Sequence, residues 1–323
     1  MTWPKKNPAA ARMKRIYARQ SKPAFGAKYQ PAIRATREEA PKISWAFAMF
    51  DNKLGRVMHL LSTHELAAAL FARYIPNCWD VHEQAMLWTE PHTHPLFDYP
   101  GVDATTLTPV EGTLLAAHRL GHLAFHPKIR VPSRDDIEGQ VAYPLIGDLL
   151  LFLSDEQGRY CVNWPIKRAA EDFWRPTPFA GQKNMPRAIR RAIARTEIEM
   201  AYYESAKIRS HLVFFQPRFR RVVANLRLLH GFEVRRVQLP DEHRYEMVRR
   251  FNAAMANGGS ATDQYLSLGA RFACPWTTCQ TVFFQAIWRR ELRVDLYQPI
   301  LTEYPIEPER QDFLDDIKDW FRR

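Results

Sequence analysis

The run Tyr143–Leu153, YPLIGDLLLFL, constrains this chain more than any other segment. It is short, almost wholly apolar and followed by a turn at Asp155–Gly158, so it predicts a buried strand. Arg159–Ile166 predicts a second strand that ends at Lys167, and the two make a hairpin. Asp148 sits inside the first strand. Burying a lone carboxylate there costs several kcal/mol or more. Asp148 therefore has a cation, backbone donors or a metal beside it, unless it lies at an exposed strand end. Lys167 falls opposite Asp148 if the turn is at Asp155–Gly158. It is either an ordinary lysine at a strand end or an ammonium that orients water and stabilises phosphoryl charge beside a carboxylate-bound ion.

A chain of 323 residues predicts two domains. With 46% hydrophobic and 12% aromatic residues it has the material for real cores, which excludes general disorder. No apolar run reaches the ~18 residues of a membrane span, and the N-terminus has no signal-peptide core. The cysteines Cys78, Cys161, Cys274 and Cys279 lack zinc-site spacing and predict reduced thiols in a cytoplasmic protein.

The net charge of +11 is concentrated at one end. Residues 1–37 hold ten Lys or Arg and no Asp or Glu, interleaved with Trp3, Tyr17, Phe25 and Tyr29. With Pro4, Pro8, Pro23 and Pro31 as breaks, residues 1–40 predict an extended basic arm, separable from the folded core. Lys5, Lys6, Arg12, Lys14, Arg15 and Arg19 are its candidate DNA-binding residues. A merely solvated tail is the plainer alternative.

Beyond the arm, Ile43–Asp51 and Arg56–Leu61 predict a hairpin. Ser62–Tyr74 predicts a helix with Ser62 as N-cap, and S-x-x-E makes Glu65 a capping-box residue. Residues 76–140 read as irregular, with a short helix near Gly112–Leu120. A helix from Pro186 to Lys207 and a strand at His211–Gln216 follow. Helices at Arg220–Leu229, Glu242–Ala256, 263–270 and 276–289, then a strand at Glu291–Ile300, suggest a winged helix.

The segment Gly55–Trp79, GRVMHLLSTHELAAALFARYIPNCW, with Asp80, Glu83 and Gln84 after it, resembles the TnsA family, the endonuclease subunits of heteromeric bacterial transposases. Lys28–Pro31, Phe47–Gly55, Asp148, Lys167, Glu199–Tyr203 and His211–Gln216 follow the same order. The resemblance covers residues 28–216 apart from the middle. It implies a restriction-endonuclease-like mixed sheet flanked by helices at 41–217, then a winged-helix-like C-terminal domain at 218–323. It implies Glu65, Asp148 and Lys167 as catalytic residues, with Glu65 and Asp148 holding Mg²⁺, for which Mn²⁺ substitutes. It also implies cleavage of the non-transferred 5′ strand at transposon ends, alongside a DDE-type transposase subunit and an ATP-dependent regulator. The family's usual side-chain ligand two residues before the lysine is Pro165 here. The Ile166 carbonyl is then the expected third ligand. Asn163, brought in by a bulge at Trp164–Pro165, and Glu199 are further candidates. Two other readings remain: a non-catalytic adaptor bridging transposase and regulator on DNA, and a stand-alone restriction-type nuclease.

Overall fold

The computed structural model describes residues 8–42, 45–132, 138–175 and 185–323. In chain order its elements begin with α1 (Pro8–Gln20), β1 (Phe47–Asp51), β2 (Arg56–Leu60), α2 (Thr63–Tyr74), β3 (Cys78–Leu87) and α3 (Thr113–Arg119). Then come β4 (Lys128–Pro132), β5 (Glu138–Ala142), β6 (Leu145–Asp155), β7 (Gly158–Trp164), β8 (Ile166–Lys167), α4 (Met185–Ser205), β9 (Arg209–Ser210) and β10 (Val213–Phe214). The C-terminal part is helical: α5 (Arg220–Glu233), α6 (Asp241–Ala256), α7 (Ala261–Arg271), α8 (Trp276–Trp288) and α9 (Phe313–Ile317).

The expected hairpin is the middle of a mixed sheet. The strand order is β3-β6-β7-β9, with β6 antiparallel to β3 and β7, and β9 parallel to β7. Side chains on β6 alternate between two cores. Leu149, Leu151 and Leu153 join α2 and the C-terminal helices, while Leu150 and Phe152 join α4. A strand covered on both faces must be apolar throughout, which accounts for the run of leucines. Leu145 also joins the α4 core and a Cβ on Gly147 would face Glu199 of α4, so the alternation changes phase around Asp148. β7 leaves the ladder after the pair Leu149–Trp164, because Pro165 has no N–H to donate. The chain resumes as β8, parallel to β10.

The N-terminal residues differ from the extended, separable arm expected. Pro8 opens a helix, where proline is well suited to the first position. Ile16 is fully buried against Ala32, Met86 and Ile146. The following segment covers the outer edge of β3. Gly26 N donates to Asp80 Oδ2 at 2.7 Å, Tyr29 Oη to Glu83 O at 2.8 Å and Ala32 N to Gln84 O at 3.0 Å. Gln20 Oε1 accepts from Met86 N at 2.6 Å. An edge strand is thus satisfied from within the chain, and the core includes residues from this segment.

Two other expectations are corrected. Residues 76–140 contain the ten-residue strand β3. The predicted strand at Glu291–Ile300 does not form. Among the described residues that stretch makes one isolated bridge, Val294 to Pro308. Leu292, Val294 and Leu296 are buried, as is Asp295 between them, and the three apolar side chains join the core shared with the C-terminal helices. Residues 218–323 also share a core with the sheet. Phe71 of α2 packs on Phe219 and Phe313, and Trp164 Nε1 donates to Trp320 O at 2.7 Å. No described helix is long and apolar enough to cross a membrane.

Candidate active site

The break at Pro165 builds the centre of the site. Past Trp164, the next available N–H belongs to Ile166, and Asp148 Oδ2 accepts it at 2.7 Å. Lys167 Nζ lies 3.5 Å from the same oxygen and donates to Ile166 O at 3.0 Å. Asp148, Ile166 and Lys167 therefore close on one another, as the hairpin geometry predicted. The Ile166 carbonyl stands in the site, held by the lysine.

Glu65 enters from the first turn of α2. Ser62 Oγ accepts from Glu65 N at 3.1 Å, so the N-cap is formed. The carboxylate takes Ser62 Oγ–H at 3.1 Å, Leu61 N–H at 2.7 Å and Gln84 Nε2–H at 2.9 Å. Glu65 is thus a capping residue, and it also belongs to the site. Burial first and the Asp148 charge second push its carboxyl up to about 7, against the pull of those hydrogen bonds and of Lys167.

Glu199 enters from α4 and is buried. Asn163 Nδ2 donates to its Oε1 at 3.3 Å and to Ser210 Oγ at 3.1 Å. Burial and the Asp148 charge push Glu199 up to about 7 as well, opposed by Arg195 and Lys167. Gly147 makes the room. A Cβ there would lie 3.2 Å from Leu87 Cδ1 and 3.5 Å from Glu199 Oε1.

Asp148, then, raises two buried acids at once. Three carboxylates, Glu65, Asp148 and Glu199, act on one another here, with the Lys167 ammonium and the Arg195 guanidinium opposing them. Asn163 Oδ1 is buried without a hydrogen-bond partner. Among the described residues, no three or more His, Cys, Asp or Glu stand close enough together to hold a metal ion by themselves. A magnesium-type ion does not require such a group, since it binds through one or two carboxylates and keeps its waters. An excess of buried carboxylate, an orphan amide oxygen and no nearby thiolate fit a hard divalent cation.

Gln84 is the residue that sequence reasoning left out of the site. It stands at φ +52°, between the pairs Glu83–Leu149 and Ala85–Gly147. Its position after Glu83 in the family-like run was the only signal. Of the candidate DNA-binding residues, Arg12, Lys14 and Arg15 are exposed on α1. Arg19 is committed to Glu39, at 2.6 and 2.7 Å, and to Ala32 O. Lys5 and Lys6 lie outside the described residues.

The chain matches no protein-family model, and no curated protein is similar enough to count as a relative.

Proposed function

We propose that this protein is a divalent-metal-dependent DNA endonuclease, the strand-nicking subunit of a heteromeric transposase. The observation that carries the reading is the closure of Asp148, Ile166 and Lys167 on one another at the Pro165 break, with the buried Glu65 and Glu199 near enough to feel the Asp148 charge. A sheet with α2 on one face and α4 on the other supports a restriction-endonuclease-like core. Glu65 and Asp148, with the Ile166 carbonyl and the Asn163 oxygen beside them, would hold Mg²⁺ or Mn²⁺. When bound, that ion supplies Lewis-acid stabilisation of phosphoryl charge. Lys167, fixed by Ile166 O and Asp148, presents its ammonium to the scissile phosphate and to water. Glu199, poised near neutrality, accepts a proton at its carboxylate, with Asn163 holding its orientation. The same reading assigns the partners: transposon-end DNA, a DDE-type transposase subunit, and an ATP-dependent regulator docking on residues 218–323.

One observation favours the adaptor reading. Both Glu65 oxygens are engaged in hydrogen bonds, and Asp148 is already paired with Lys167. The two readings separate in a nicking assay on supercoiled plasmid carrying transposon ends, with Mg²⁺ and the transposase partner. Mg²⁺-dependent nicking that Asp148→Ala abolishes supports the endonuclease. DNA and partner binding without any nicking would leave the adaptor.

A further inference from the structure

The helix that brings Glu199 into the site carries arginines along the same ridge. Arg187, Arg191, Arg195 and Glu199 follow one another at i, i+4 spacing on α4, and the three arginines are exposed. Arg187–Arg191 and Arg191–Arg195 are like-charge neighbours, whereas Arg195 is opposed by Glu199. Like charges at i, i+4 repel, and cations in the first turns of a helix face the positive end of its dipole. Residues that break a local rule mark a surface shaped by something it binds.

The ridge ends at the active site. Arg195 Nη2 donates to Ile146 O at 2.8 Å, two residues before Asp148. A second basic helix reaches the same place. α1 packs on Met86, Tyr143 and Ile146, and its exposed Arg12 and Arg15 favour the ionised form of the Tyr143 phenol against the burial that raises it. The two helices therefore bring cations of one sign to the start of β6.

We propose that Arg187, Arg191 and Arg195, with Arg12 and Arg15, form a phosphate track that lays one DNA strand beside Asp148. The binding claim stands without cleavage; only its purpose rests on the endonuclease reading. The spacing suits the ligand. Eight residues of helix advance about 12 Å, and one duplex strand presents a phosphate about every 3.4 Å along its axis, so three arginines span three to four phosphates. Guanidinium groups take phosphate oxygens two at a time, which fixes a strand as well as attracting it.

The test is the salt dependence of binding to a fluorescent DNA duplex, measured by anisotropy with the full chain in EDTA. Arg187→Gln with Arg191→Gln is expected to lower the log–log salt slope by about 1.8, two contacts at about 0.9 each. Arg187→Lys with Arg191→Lys keeps the charges and is expected to keep the slope. Arg249→Gln with Arg250→Gln removes the same charge from α6 and is expected to leave it unchanged. An unchanged slope in the first pair, or an equal loss in the α6 pair, overturns the track. So does loss of binding to anionic phospholipid vesicles with DNA binding intact, which would assign the face to a membrane. A lowered slope in a protein that never nicks would sink the endonuclease reading and leave the track. Asp148-dependent nicking with an unchanged slope would do the reverse.

Discussion

Gln84 Nε2 donates to Glu65 Oε2 across 2.9 Å, from a backbone held at φ +52°. The left-handed conformation costs a glutamine roughly 1–3 kcal/mol. Its carbonyl faces outward, where it accepts from Ala32 N at 3.0 Å and Gln20 Nε2 at 3.2 Å. The N-terminal segment and the candidate site thus meet at one residue, the carbonyl tied to the segment and the amide to Glu65.

Gln84→Gly removes the amide but suits the backbone, whereas Gln84→Ala removes the amide and keeps the strain. The glycine variant is expected to melt higher than the alanine variant, by roughly 1 kcal/mol in stability. Both are expected to raise the Mg²⁺ concentration for half-maximal nicking about 10- to 100-fold. Wild-type Mg²⁺ dependence in Gln84→Ala would remove this hydrogen bond from the mechanism.

Glu65→Gln keeps an oxygen for the Leu61 amide and so keeps the cap. It is expected to melt close to wild type and to lose nicking. Glu65→Ala is expected to lose nicking and about 1 kcal/mol of stability, the usual worth of a cap. Full nicking by Glu65→Gln in saturating Mg²⁺ would make Glu65 a cap alone.

The two raised glutamates set a pH dependence. Each has its carboxyl pushed from 4.5 up to about 7, so between those values the folded chain binds more protons than the unfolded one. Metal-free stability from these groups therefore falls as pH rises through that window and stays at its lower level above it. A divalent cation binds the ionised form, so its stabilising effect is expected to be larger near pH 8 than near pH 5.5. Calorimetric melts with and without Mg²⁺ at those two values check this; equal shifts would count against it. Asp148→Asn removes the charge that raises both acids and is expected to move the window downward.

Ile16→Ala tests whether α1 is docked. Its side chain is fully buried, and truncation is expected to cost about 2–5 kcal/mol. A wild-type melting temperature would mean that the helix contributes nothing to the core.

What the sequence revealed follows from where the partners lie. β6, β7, α2 and α4 were legible because each is patterned by the core it faces. Asp148 stood out as a charge inside an apolar strand, and Lys167 as one closing its neighbour. β3 was illegible because its polar residues are satisfied by distant ones: Asp80 by Gly26, Glu83 by Arg56 at 2.7 Å, Gln84 through Glu65. α1 was hidden because Pro8 and Pro23 read as breaks, although one opens the helix and the other follows it. Leu292, Val294 and Leu296 have the spacing of a strand, but the stretch packs into the helical core and makes one isolated bridge among the described residues.

The indole contact between Trp164 and Trp320 sets an order for the protein's birth. β7 carries Asn163 and leads into Lys167, yet its cover comes more than 150 residues later, in residues 313–323. At about 5–20 residues per second, the ribosome takes roughly 10–30 s to reach that cover after making the strand. During that interval the strand's Trp164 lacks the carbonyl and indole of Trp320 that meet it in the finished fold. A chain abandoned partway through translation would thus be released with Trp164 uncovered, one residue before the Pro165 break that shapes the contacts of Asp148 and Lys167.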